Sequence, residues 1–117
     1  MTDILTELYE RVEQRKTARE EGSYTAYLFD EGLDKILKKL GEECSETIIA
    51  AKNFRAGDEA DEDTKKALAN EAGDLIYHLV VMLSELSIRP EEVEEVLRGR
   101  MQKTGNLKQF RETDKNT

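Results

Sequence analysis

At 117 residues the chain has room for one domain, and its 26 acidic against 18 basic residues give a formal charge of −8, which opposes attraction to nucleic acid or an anionic membrane surface. A single cysteine excludes an internal disulfide framework and a cysteine-rich zinc site. The opening MTDILTELYE has neither the basic nor the apolar part of a signal peptide, and no apolar run reaches the roughly eighteen residues a membrane helix needs, so a soluble, cytoplasmic protein is expected.

One proline, seven glycines, no tryptophan and 38% charged residues predict an all-α chain with a thin core. From Thr2 to about Glu21, Ile4, Leu5, Leu8 and Val12 form one narrow apolar stripe, an amphipathic helix stopped near Gly22. SYTAYLFDEG, from Ser23, sets tyrosines and apolar residues between two glycines without a clear period, and reads as a short helical turn or an ordered loop. Leu33 to Phe54 is the first central helix, with Leu33, Ile36, Leu37, Leu40, Cys44, Ile48 and Ala51 on its buried face, which makes Cys44 a small core residue. RAGDEADEDT is a loop in which Asp61 or Asp63 can cap the helix that follows.

The second central helix runs from about Thr64 to Leu86 and buries Leu68, Ala72, Leu75, Ile76, Leu79, Met82, Leu83 and Leu86. Pro90 opens a third strong helix, PEEVEEVLRGRM, at its first turn, where the missing N–H has no consequence. From Thr104 the sequence turns polar, so residues 1–105 read as a single domain and 106–117 as a mobile tail.

Glu43 and Glu46 lie on one flank of the first central stripe, and Glu71 and Asp74 on the same-handed flank of the second. The short connection between the helices favours antiparallel packing, and that arrangement brings the four carboxylates to one side. Acids so gathered repel one another and lose hydration. Hard divalent cations relieve both effects, and an oxygen-only ligand set points to Mg2+ or Mn2+, whose usual employment is phosphate chemistry. The competing reading is an ordinary solvated face, since acids are abundant along this chain.

EECSE from Glu42, followed by EAGD from Glu71, resembles the paired motifs of the MazG-like all-α nucleotide pyrophosphohydrolases. Within that superfamily, SYTAYLFDEGLDKILKKLGEECSE together with NEAGDLIYHLVVML is similar to the phosphoribosyl-ATP pyrophosphatase family, which acts at the second step of histidine biosynthesis. The resemblance covers roughly Ser23 to Met101. It implies an antiparallel helical bundle completed by dimerisation, Mg2+ (or Mn2+) held by Glu43, Glu46, Glu71 and Asp74, and Glu42 as a further acid of the catalytic set. The reaction implied is hydrolysis of phosphoribosyl-ATP to phosphoribosyl-AMP and pyrophosphate.

Several residues near the acids are candidates for binding that substrate. Lys39, one turn before Glu43, could meet a phosphate or pair with an acid, and Lys35 follows the same column. His78, one turn beyond Asp74, could touch substrate, support a carboxylate ligand or be purely structural. Ser23, Tyr24 and Thr25 offer hydroxyls and a ring to phosphate or ribose, or else a helix cap and loop packing. Tyr77, which faces away from the acid flank, reads as a subunit contact, as do Ile49 and Val81. No P-loop, nucleophile elbow or Ser/His/Asp constellation is present. Two alternatives stand beside this reading: a housecleaning nucleoside triphosphate pyrophosphatase, and a non-catalytic helical interaction module.

Overall fold

The computed structural model describes residues 3–56, 61–103 and 107–116, so the domain boundary expected at residue 105 falls outside the described residues. Five α-helices and no strand form the described chain: α1 (Ile4–Thr17), α2 (Tyr24–Glu31), α3 (Leu33–Ala56), α4 (Glu62–Glu85) and α5 (Pro90–Lys103), with a 3-10 turn at Glu112–Asn116. The all-α expectation holds.

Local chemistry sets the boundaries. The Asp3 side chain accepts from the Leu5 N–H at the start of α1, and Arg15 and Lys16 occupy its last turn, where cations suit the helix dipole. This helix ends at Thr17, short of Glu21, because AREEG has no apolar residue beyond Ala18 to pack. Ser23 caps α2 by accepting from the Ala26 N–H at 3.1 Å, and Gly32, at φ 95°, lets the chain turn directly into α3. The segment left open between turn and loop is therefore an eight-residue helix burying Ala26, Leu28 and Phe29. Asp61, the nearer of the two capping candidates, accepts from the Asp63 N–H at 2.9 Å and starts α4.

The two 24-residue helices α3 and α4 are successive, joined by a short connection and packed along their lengths as an antiparallel hairpin. α1 and α2 lie against it, and Tyr9, Val12, Leu28, Phe29, Ile36, Val80 and Val81 make the core between these four helices. Lys16 fastens α1 to the end of α4 by donating to the Ser84 carbonyl at 2.6 Å, while the buried Ser84 hydroxyl donates to Glu13.

The hairpin is rotated relative to the stripes drawn from apolar periodicity. On α3 the covered positions include Glu43, Thr47, Ala50 and Phe54 beside the expected Leu33, Ile36, Leu40 and Ala51, whereas Leu37, Cys44 and Ile48 are exposed, Ile48 at 63%. On α4, Glu71, Leu75, His78 and Val81 turn inward while Ile76, Leu79 and Leu86 face out. Cys44 is thus not a core residue, and Val81 is fully buried and not an outer contact. The physical reason is that α1 and α2 cover the acid-bearing side of α4, drawing that side inward, and no helix among the described residues covers the opposite side. Glu43, assigned to a flank by periodicity, consequently sits within the helix–helix seam.

Among the described tail residues 107–115 only Asp114 is partly covered. No described helix is long and apolar enough to cross a membrane.

Candidate active site

The seam places three carboxylates together. Glu43 is only 8% exposed, Glu71 is half-buried and Glu46 is exposed, and one oxygen from each lies within 4.8 Å of the others. One oxygen of Glu43 and one of Glu71, both Oε2, are buried without a hydrogen-bond partner. Burial, then the charges of Glu46 and Asp74, pushes the Glu43 carboxyl up to about 7. Glu71 is raised for the same first reason, followed by Glu46 and Asp74. Asp74 stands outside the 4.8 Å group and is exposed, yet its charge reaches both buried acids.

This arrangement fits a hard divalent cation. The donors are all carboxylate oxygens, Glu43 and Glu71 each have an oxygen shut away from water and hydrogen bonds, and the raised proton affinity of both acids registers a negative charge that no cation among the described residues neutralises.

The remaining candidates separate into distinct roles. Glu42 lies outside the cluster and accepts from Lys39 Nζ at 2.9 Å, a contact that holds its carboxyl below the usual range. Lys39 is thereby committed to an ion pair, whereas Lys35 has its ammonium 5.9 Å from the Tyr27 ring centroid. Ser23 spends its hydroxyl on the α2 cap. Thr25 Oγ1 bonds the Tyr77 hydroxyl, so Tyr77 joins α4 to α2 within the chain, with its ring against those of Tyr24 and His78. His78 is 4% exposed; its Nδ1 lies 2.7 Å from the Asp74 carbonyl and its Nε2 2.9 Å from the Tyr24 hydroxyl. Both ring nitrogens are thus engaged by neighbours within the chain.

Thr47 went unnoticed in the sequence. One turn after Glu43, it places its hydroxyl 2.8 Å from the Glu43 carbonyl and 3.2 Å from the Glu71 carbonyl. The first bond is the ordinary back-bond of a helical threonine and was foreseeable from the four-residue spacing; the second depends on helix register. A groove of about 290 Å³ leaves the cluster toward the loop end of the hairpin, lined by Glu46, Ile49, Ala50, Asn53, Thr64, Ala67 and Glu71.

A family model described as phosphoribosyl-ATP pyrophosphohydrolase matches residues 5–101. A curated phosphoribosyl-ATP pyrophosphatase of Streptococcus thermophilus is 52% identical over 104 residues, covering 89% of this chain and 91% of the relative. The proteins of the same name from Clostridium acetobutylicum and Listeria innocua are 47% identical over 109 residues (93% and 91% covered) and 44% identical over 110 (92% and 97%). With identities of this size along nearly the whole length, and with the paired acids of α3 and α4 inside the matched region, the chain belongs to the phosphoribosyl-ATP pyrophosphohydrolase family.

Proposed function

We infer that this protein hydrolyses phosphoribosyl-ATP to phosphoribosyl-AMP and pyrophosphate, a step of histidine biosynthesis, in the cytoplasm where its ATP-derived substrate forms. The family match carries the activity, and the two unpartnered carboxylate oxygens in the α3–α4 seam support the location proposed for the site.

Glu43, Glu46 and Glu71, with Asp74 at their margin, would hold Mg2+ or Mn2+; such a cation, when bound, neutralises phosphate charge and acidifies water. The protein's own contribution is to fix these acids on two rigid helices and to keep two of them out of bulk water. Glu42 has a lowered proton affinity, which makes it a poor base but a persistent anion, suited to orienting the attacking water. Water attacks phosphorus as the phosphoanhydride P–O bond breaks and its protons pass to solvent, giving phosphoribosyl-AMP and pyrophosphate, and with no activated nucleophile among the described candidates direct in-line displacement is the simplest course.

Pyrophosphate release measured across phosphoribosyl-ATP, ATP and several deoxynucleoside triphosphates tests this assignment. We expect kcat/KM for phosphoribosyl-ATP to exceed the others by about two orders of magnitude, since a site built around a distinctive group penalises substrates lacking it. Preference for a nucleoside triphosphate would make the protein a housecleaning enzyme. No turnover, with no Mg2+-induced thermal shift, would leave a non-catalytic helical module.

The functional unit is a homodimer in this reading. Leu37, Ile48, Ile76 and Leu79 expose apolar surface on the side of the hairpin away from Asp74, where α1 and α2 provide no cover. Sedimentation at assay concentration should give twice the monomer mass, and an active monomer would refute the dimer.

A further inference from the structure

The acid cluster has a neighbour that the phosphate chemistry leaves unused. Tyr24 and Tyr27, on α2, are 45% and 43% exposed, with ring centroids 6.1 Å apart and planes inclined by 28°. Lys35 lies over the edge of this pair, against Tyr27, and no carboxylate among the described residues makes an ion pair with it. Tyr24 is also close to the acids: burial pushes its hydroxyl up, and the charges of Lys39, Glu43 and Glu42 act on it as well. Two half-exposed aromatic rings, and a cation whose only contact is with one of them, thus stand beside the site proposed for the triphosphate.

Beneath them, His78 has a defined set of bonds. The Asp74 carbonyl only accepts, so His78 Nδ1 carries the hydrogen at that 2.7 Å contact. In the neutral ring Nε2 is then an acceptor, and the Tyr24 hydroxyl donates to it at 2.9 Å. The Tyr24 ring is further held edge-on to His78, with centroids 5.7 Å apart.

We propose that Tyr24, Tyr27 and Lys35 form the subsite for the end of the substrate remote from its triphosphate, the rings stacking on the purine and the ammonium meeting the 5-phosphate of the added ribose, and that His78 is a positioning residue which fixes Tyr24. This rests on phosphoribosyl-ATP being the substrate. It supplies what the acids alone lack, since ATP presents the same triphosphate but has no second phosphate for Lys35. The groove past Ile49 and Ala50, which also adjoins the acids, has no lysine or arginine among its lining residues.

Steady-state kinetics on the full-length protein in saturating Mg2+ test the subsite. Tyr24→Ala should raise KM for phosphoribosyl-ATP about tenfold to a hundredfold, the range for losing one aromatic platform, with a much smaller change in kcat and an unaltered Mg2+-induced thermal shift. Lys35→Met should raise KM for phosphoribosyl-ATP about tenfold and change KM for ATP much less. Tyr24→Phe keeps the ring and fold, so it provides the test of His78: His78→Gln should raise KM in the parent and add less than about twofold in the Tyr24→Phe background. An unchanged KM in Tyr24→Ala, with a raised KM in Ala50→Leu, would put the base in the groove and overturn the proposal. So would equal effects of Lys35→Met on both substrates, or an undiminished His78→Gln effect without the Tyr24 hydroxyl. If the parent itself does not favour phosphoribosyl-ATP over ATP, the substrate assignment fails first, and a Tyr24→Ala defect confined to subunit association would also overturn the subsite.

Discussion

Glu43→Gln is expected to make the metal-free protein more stable while lowering its turnover about a hundredfold or more. The two effects have one origin. Glu43 is buried beside Glu46 and Glu71, and one of its oxygens has no hydrogen-bond partner. An amide of the same shape removes a charge from that group and adds donors toward the remaining acids. The charge removed is also one of those available to neutralise a cation, so transition-state stabilisation is lost with it. In Mg2+ at one hundred times its dissociation constant the parent should gain about 2.7 kcal/mol, and the variant much less. Melting with and without Mg2+, read beside pyrophosphate release, measures all three quantities. Unchanged turnover and an unchanged Mg2+ shift would remove Glu43 from the site; a destabilised metal-free variant would make it part of a structural network instead.

Raising the pH from 5 to 8 in the presence of a chelator should weaken the parent fold by ~2 kcal/mol through Glu43 alone. The sign follows from its folded proton affinity, which is pushed up to about 7 and so exceeds the value of 4.5 for a free glutamate. Between these values the native state holds a proton that the unfolded chain releases. Stability is therefore complete below pH 4.5 and declines until the carboxyl has ionised above 7. Full linkage for such a shift is about 3 kcal/mol; water around the exposed Glu46 and Asp74, which supply part of it, reduces the expectation. Glu43→Gln should flatten this segment of the curve, and subtracting the two pH profiles gives the contribution of Glu43 together with its coupling to the neighbouring acids. Parallel profiles would show that Glu43 is ionised in the native state at pH 5.

The long helices α3 and α4 and the paired acids were legible in the sequence because each spans enough turns for a period to emerge. Their rotation was not. Apolar periodicity identifies the residues that avoid water, but it cannot divide them between neighbours in the same chain and any partner chain. Ile36 and Ile48 carry the same hydrophobic signal, yet one is buried by α2 and α4 and the other faces outward. Cys44 was assigned to the core by the same shortcut. α2 was ambiguous because eight residues make barely two turns. The bond between His78 and Tyr24 crosses 54 residues of chain, and no local spacing encodes it. It decides whether the histidine touches ligand or supports the tyrosine.

Thr47 gives the acid-bearing helices a mechanical constraint. Its single hydroxyl proton is shared between the main-chain carbonyls of Glu43 and Glu71, pinning α3 to α4 at the level of the acids themselves. Electrostatic repulsion is then resisted by the backbone and must be released through rotamers or proton uptake. The span between the helices works as a fixed gauge, set when the chain folds and before any ion arrives. A small cation that demands short, regular oxygen distances matches a gauge of that kind better than a large cation with loose, many-membered coordination, so for the cation proposed at these acids part of the selectivity would rest on a hydroxyl that need never touch the ion.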